Sequence, residues 1–255
     1  MNKLYNYPEA KEIVFCGDIH GEFNEIIFKI CTRYSIRNSV IVFAGDCGFG
    51  FYKENYYRNL YKKVKKKLED SNNWLVFIRG NHDDPLYYQE EKISYERFRC
   101  VPDYSIVSAC GHNILCVGGA TSIDREWRIN VLKDGYWAGD APIYDEESLL
   151  SIDRAIDIVV THTCPSFCVP QEKDGIKNWL ATDQNLEADL AYERDVMDKI
   201  FFKLKELNHP LKEWYYGHFH FTATMERYDT KFRLLDIGEL LESYKFRDNM
   251  LYINT

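Results

Sequence analysis

Six short apolar runs of this chain each end in a glycine- or histidine-bearing cluster, and five of the seven histidines lie in those clusters. "EIVFC" (12–16) runs into Gly17-Asp18-Ile19-His20-Gly21, "SVIVFA" (39–44) into Gly45-Asp46, and "WLVFIR" (74–79) into Gly80-Asn81-His82-Asp83. "ILCVG" (114–118) ends in Gly119, "IDIVV" (156–160) in Thr161-His162, and "EWYY" (213–216) in Gly217-His218-Phe219-His220. One aspartate after a glycine is accounted for as a helix cap, and one histidine as a hydrogen-bonded surface residue. Repetition at successive run ends asks for a shared chemistry.

Metal binding supplies one. Asp18 and His20 stand two apart, a spacing that in an extended segment points both side chains the same way, so the pair can clamp a cation. His218 and His220 repeat that spacing with imidazoles. Asp46 has two oxygens and can bridge two cations, while Asn81 offers a carbonyl oxygen without adding charge. His162 completes the donor set. Four imidazoles with carboxylates suit Mn²⁺, Fe, Zn²⁺ or Ni²⁺ better than Ca²⁺, and manganese is the first expectation. Two divalent cations ~3.5–4 Å apart are the usual device for in-line displacement at phosphorus, binding phosphoryl oxygens and acidifying a bridging water. The leaving oxygen still needs a proton. His82 is the one clustered histidine not assigned to a metal, and it is expected to donate that proton or a hydrogen bond.

These residues need a scaffold that gathers strand ends. The first three runs are rich in Val, Ile and Phe without polar alternation, as strands buried on both faces are. Helical patterns over 22–34 and about 54–70 separate them, which is βαβ grammar with a parallel sheet. In such folds ligands bind beyond the carboxyl ends of the strands. In "NYYRNLYKKVKKKLED", Tyr57, Leu60, Tyr61, Val64 and Leu68 recur at helical spacing, so the lysines read as the wet side of an amphipathic helix. Region 121–150 is expected to hold a long loop and a short helix. The runs 222–229, 231–237 and 249–254 read as short strands in an antiparallel meander or hairpins.

The 255 residues carry no internal repeat or Pro/Gly-rich linker, so one domain over 1–255 is expected. Apolar residues make up 45% and charged residues 28%, the balance of a soluble globular protein. No stretch approaches the ~20 apolar residues of a membrane span, and the N-terminus lacks the apolar core of a signal peptide, so a cytoplasmic location is expected. Cys16, Cys47 and Cys116 lie inside apolar runs, and "CPSFC" (164–168) has no second pair at zinc-ribbon spacing, so reduced thiols are expected. The net charge of −8 disfavours an extended nucleic-acid surface.

"GDIHG", "GDCGFG", "RGNHDD", "THTCP" and "GHFH", in that order over residues 17–220, resemble the motif series of the calcineurin-like metallophosphoesterase family. The resemblance implies an α/β fold, a four-layer α/β/β/α sandwich of two mixed sheets with a dimetal site at the strand ends. It implies Asp18, His20 and His220 as ligands of one metal, Asn81, His162 and His218 as ligands of the other, and Asp46 as the bridging carboxylate. His82 is similar to the non-ligand histidine near the scissile phosphate, and Asn81 is counted with the substrate-binding groups as well.

One departure narrows the reading. The Ser/Thr protein phosphatase branch carries Asp-Arg-Gly after its second motif, where this chain has Phe49 and Gly50 in the Asp and Arg places. Phosphoprotein substrates are therefore not expected, and Asp83 is a weak candidate for the group that orients His82. Arg125 and Arg128 in "GGATSIDREWR" are candidate phosphate ligands, because arginine grips phosphate bidentately. Their alternative is surface pairing among Asp124, Arg125 and Glu126. Trp127, Tyr136 and Trp137 are candidates for a stacking wall, with a core role as the alternative. The expected function is phosphoester hydrolysis by metal-bound hydroxide, on a phosphomonoester or phosphodiester of a small molecule or nucleotide. The alternatives are a nuclease, or a non-catalytic scaffold on the same fold, as in a retromer subunit with a degraded metal site. Completeness of the ligand set discriminates the last of these.

Overall fold

The computed structural model describes residues 2–170, 176–247 and 250–253, the last strands (242–253) by their backbone only. Among the described residues, fourteen strands form two seven-stranded sheets. The first sheet runs, edge to edge, β14 (Met250–Ile253), β13 (Leu240–Arg247), β2 (Glu12–Cys16), β3 (Ser39–Phe43), β4 (Trp74–Phe77), β6 (Phe98–Cys100) and β5 (Ser94–Tyr95). The second runs β1 (Leu4–Tyr7), β7 (Ser105–Ala109), β8 (His112–Val117), β9 (Ile158–Thr161), β10 (Glu213–Tyr216), β12 (Thr230–Leu234) and β11 (Ala223–Arg227). The helices are α1 (Phe23–Phe28), α2 (Glu54–Ser71), α3 (Leu86–Gln89), α4 (Arg125–Trp127), α5 (Glu146–Leu150), α6 (Ile176–Leu180) and α7 (Leu186–Glu206).

Side-chain alternation along the central strands explains why they lack a polar face. On β2, β3 and β4, Val14, Cys16, Ile41, Phe43, Leu75 and Phe77 pack outward onto α1 and α2. The intervening Ile13, Phe15, Val40, Val42 and Val76 point inward, against Ile114, Cys116, Ile158, Val160 and Tyr215 of the second sheet. That sheet's other face, with Leu115, Val117, Val159, Trp214 and Tyr216, packs on Val196, Met197, Ile200 and Leu204 of α7. Three apolar interfaces thus separate four layers, helix, sheet, sheet and helix, as expected. β2, β3 and β4 are mutually parallel, and so are β8, β9 and β10. Their carboxyl ends meet at one end of the sandwich.

The helix expected over 22–34 is α1 followed by a π-helical turn, Lys29–Arg33. α2 buries Tyr57, Leu60, Val64 and Leu68 and leaves the lysines of its basic run exposed. Region 121–150 holds α4, a π-helical turn (Arg128–Leu132) and α5, which is more helix than expected. The terminal strands divide between the two sheets. β11 and β12 form an antiparallel hairpin at one edge of the second sheet, whereas β13 and β14 extend the first. β14 covers residues 250–253 of the run expected over 249–254, and residues 249 and 254 lie outside the described residues. All eight cysteines are free thiols. Among the described residues no helix is long and apolar enough to cross a membrane.

Candidate metal centre

The segments leaving β2, β3, β4, β9 and β10 meet at the carboxyl ends of both sheets, and each is stitched to a neighbour through a side chain expected to bind metal. The carbonyl of Asp46 accepts the backbone N–H groups of Ile19 (3.1 Å) and His20 (2.9 Å). Its Oδ1 accepts the N–H of His82 at 2.8 Å. The Asp18 carboxylate accepts the N–H of His218 at 3.1 and 3.2 Å. Two glycines make room for this. A methyl group on Gly80 would stand 2.1 Å from Oδ1 of Asp46, and one on Gly217 would stand 2.1 Å from Oδ1 of Asp18. No side chain fits there without moving a carboxylate.

One group of donors is formed by Asp18, His20, Asp46 and His220, with one ligand atom from each all within 4.8 Å of one another. Nε2 of His220 lies 3.1 Å from Nε2 of His20 and 3.1 Å from Oδ2 of Asp18. The second group gathers around His162. Its Nδ1 faces the Ala44 carbonyl at 2.7 Å, and a carbonyl only accepts, so Nδ1 carries the proton. Nε2 is left facing Oδ1 of Asn81 at 3.0 Å and Oδ1 of Asp46 at 3.2 Å. Such a backbone contact on the far nitrogen is what orients a metal-binding imidazole. The Asn81 amide nitrogen donates to Ser122 Oγ at 3.1 Å, which turns Oδ1 toward the same point. The His218 ring centre lies 5.0 Å from that of His162. Donor atoms of Asp18, His20, Asp46 and His220 converge on one point, a donor set that fits a divalent cation, and His162 Nε2 and Asn81 Oδ1 stand beside the same Asp46 carboxylate.

The backbone delivers these side chains differently from the expectation. His20, Asp46, His218 and His220 all have positive φ, +43°, +47°, +72° and +54°. The Asp-x-His and His-x-His pairs therefore sit in turns, and not in extended segments. Left-handed backbone is uncommon outside glycine and concentrates at functional sites. Here it folds each strand end back, so that Asp18 and His20 aim at one point, while His220 joins them and His218 turns toward His162.

Electrostatics follow from burial among like and unlike groups. Burial alone would raise the Asp46 carboxyl, yet His162, His82 and His20 together hold it well below the usual carboxylate range. Burial opposes charge on His162, but Asp46 beside it prevails and the imidazole is pushed up to about 10. Burial and then the neighbouring His162 hold His218 well below its ordinary value. Burial also lowers His82, with Asp46 pulling the other way.

Asp83 does not orient His82. Its carboxylate accepts four backbone N–H groups, from Gly48 (2.7 Å), Phe49 (2.8 Å), Gly80 (2.8 Å) and Cys47 (3.1 Å). It is a buried bracket tying the turn after β3 to the turn after β4. Burial and repulsion from Asp46 push its carboxyl up to about 6, against the pull of the amides. The departure at Phe49 has a packing cause. The ring is fully buried, against Phe23, Tyr57, Phe77, Tyr87, Tyr88 and Phe98. A carboxylate in its place would be charged and unpaired inside the core.

Neither arginine of region 121–150 lines the cavity at the centre. Arg125 is held by Asp183 (2.5 Å) and Asp189 (2.6 Å) on and beside α7. Arg128 is paired to Asp124 at 2.7 Å. Both guanidinium groups are thus engaged by carboxylates, Arg125 by partners on and beside α7 and not by Asp124 or Glu126, and Arg128 by Asp124. Trp137 stacks near Phe51, 6.4 Å between ring centres, and Trp127 is exposed. Neither they nor Tyr136 reach the cavity.

That cavity, about 760 Å³, contains Asp46, Asn81, His82, His218 and His220 at one end. Its arginine is Arg194 of α7, unanticipated because no motif marks it. Its guanidinium lies 5.2 Å over the Phe219 ring. Nη1 contacts Glu193 Oε1 (2.8 Å), the Cys164 carbonyl (3.2 Å) and Thr163 Oγ1. Nδ1 of His82 and Oδ1 of Asp124 are both buried without a hydrogen-bond partner among the described residues, although both residues line this cavity.

Comparisons with known proteins bear on the same features. Comparison with curated proteins gives no match. The crystal structure of TT1561 of Thermus thermophilus superposes with a TM-score of 0.53 at 13% identity, covering 96% of this chain and 98% of that one. It shows the fold alone. A cold-active protein-tyrosine phosphatase of a psychrophilic Shewanella species is more distant, with a TM-score of 0.39 at 13% identity over 98% of this chain and 79% of that one. A family model for calcineurin-like phosphoesterases matches residues 11–221, a span that contains every residue of both donor groups. The chain belongs to the calcineurin-like phosphoesterase family.

Proposed function

We propose that this protein is a two-metal phosphoester hydrolase acting on a small phosphorylated molecule, a phosphomonoester or phosphodiester, nucleotides included. The observation that carries this reading is the convergence of Asp18, His20, Asp46 and His220, with His162 Nε2 3.2 Å from Oδ1 of Asp46 and the backbone N–H of His82 donating to the same carboxylate. Asp18, His20, Asp46 and His220 would hold one divalent cation, and Asp46, Asn81, His162 and His218 the other, with manganese the first metal to test. Bound cations supply Lewis-acid activation of water and of the phosphoryl oxygens.

The chain's own residues do the rest. His82 has Nδ1 turned inward, so Nε2 is the ring atom left to meet the leaving oxygen and protonate it. Asp124 is a carboxylate whose charge acts on His82 besides Asp46. With Oδ1 closed onto Nδ1–H it would hold the ring and stabilise its protonated form, replacing the missing aspartate of the protein phosphatase motif. Arg194 at the cavity wall supports phosphate binding. The net charge of −8 supports a small substrate in preference to long nucleic acid.

Purified protein loaded with Mn²⁺ is expected to cleave a chromogenic phosphate ester. Asp46→Asn should lower kcat/KM by about a thousandfold or more, because it weakens both donor groups at once. Full activity in that variant would overturn the proposal.

A further inference from the structure

Beyond the donor residues, the cavity is walled mainly by hydrocarbon. Trp179 and Leu180 of α6, Leu190 of α7, Ile123, Phe219 and Phe221 line it. A phosphoester seated on Asp46, Asn81 and His218 must extend its alcohol portion somewhere, and this space opens directly from those residues. Its volume of about 760 Å³ lies in the range of sites that enclose most of a drug-sized ligand. The carboxylates of Asp124 and Glu187 border the same space. A leaving group carrying further phosphates or carboxylates would meet them, with Nη1 of Arg194 already engaged by Glu193, Thr163 and Cys164.

We infer that the preferred substrates are phosphoesters of an uncharged, predominantly apolar alcohol, whose aryl or alkyl body fills this chamber while the phosphate meets the metal centre. The inference deepens the phosphoester reading and rests on it. Trp179 and Leu190 are the specificity-determining wall. The reaction is the one already proposed: water adds to phosphorus, the P–O bond to the apolar alcohol breaks, and the alcohol leaves with a proton.

Two substrate series decide it, with Mn²⁺-loaded full-length protein. Phenyl and 2-naphthyl phosphate differ by one fused ring at closely matched leaving-group acidity, and butyl and octyl phosphate differ by four methylenes. At least one series should show kcat/KM rising about tenfold or more with the larger body, the usual size of such discrimination. The series that rises tells whether the chamber takes a flat or a flexible body. Leu190→Asp should collapse that ratio at least fivefold, with Trp179→Ala as a second variant should the first fail to fold. In parallel, 2-naphthyl phosphonate and octyl phosphonate are titrated into metal-free protein and followed by tryptophan fluorescence and calorimetry. Saturable binding with a negative heat-capacity change, lost in the variants, is expected. Hydrolysis with flat ratios in both series overturns the inference and leaves the phosphoester reading standing. Should no ester be cleaved, phosphonate binding lost in the variants supports the chamber while the hydrolase reading fails. The absence of any saturable binding then overturns the chamber too.

Discussion

The Asp83 carboxylate lies 2.7 Å from the N–H of Gly48, a residue 35 positions earlier, and through that bond the turn after β4 holds the turn after β3. Three more amides, of Cys47, Phe49 and Gly80, donate to the same carboxylate. Asp46 and Asn81 thus hang from one buried bracket. Asp83→Asn keeps one oxygen but aims an NH₂ at donors. The expected cost is about 2–4 kcal/mol, a fall in Tm of roughly 5–15 °C by calorimetry. Bound metal per chain should fall with it, although Asp83 itself belongs to neither donor group. A variant with native Tm and full metal content would count against the bracket.

Gly80 offers a sharper local test. A Cβ there would stand 2.1 Å from Oδ1 of Asp46 and 2.2 Å from its backbone N. Gly80→Ala should therefore displace the shared carboxylate by a fraction of an ångström to an ångström. Misplacement on that scale costs about a hundredfold in rate. Circular dichroism should remain native while kcat and metal stoichiometry drop together, because the β4 strand ahead of Gly80 is untouched.

Much of this was readable beforehand, for a physical reason. Asp18, His20, Asp46, Asn81, His162, His218 and His220 stood out because carboxylate, amide and imidazole donors recur at the ends of apolar runs, and the sheets gather those ends. β2, β3 and β4 were visible because burial on both faces demands unbroken apolar runs. What escaped notice depends on distant pairing. Arg125 looked like a phosphate ligand until α7 brought Asp189 beside it. The walls at Trp179 and Leu190 exist only because α6 and α7 pack over the strand ends. β11–β12 and β13–β14 share one local pattern, and that pattern says nothing of which sheet each pair joins.

At the opposite end of β9, His209 links the end of α7 to the strand. Its Nδ1 faces the backbone N–H of Ile156 at 3.2 Å and accepts from it, so the folded state needs that nitrogen unprotonated. Burial holds the imidazole below its ordinary value. The sign follows: below an unfolded value of about 6.5 the unfolded chain binds the proton more readily, so this contribution is complete near pH 7.5 and is lost as pH falls through the window beneath 6.5. His209→Asn keeps an acceptor near Nδ1 but cannot be protonated. Its Tm should drop less than that of the wild type between about pH 7.5 and 5.5, by roughly 2–4 °C, the worth of one hydrogen bond of ~1 kcal/mol. Groups that titrate alike in both proteins cancel in this difference, and parallel curves would exclude the role.

Arg194 sets two readings against each other. Its bonds to Glu193, the Cys164 carbonyl and Thr163 brace the segment that follows His162. Its guanidinium over Phe219 also lines the cavity that Asp46, Asn81 and His218 line, which makes it a candidate phosphate contact. A purely bracing role predicts that Arg194→Lys lowers Tm and leaves the affinity of the metal-loaded protein for inorganic phosphate unchanged. Phosphate contact predicts a rise in the inhibition constant of phosphate by about tenfold, because lysine keeps the charge and loses the planar fork. KM for the ester should rise in parallel, with a smaller change in kcat, as expected for a group that grips the ground state and the transition state alike. We expect the second outcome. Arg194→Ala should extend it in the same direction, since the charge is then lost as well.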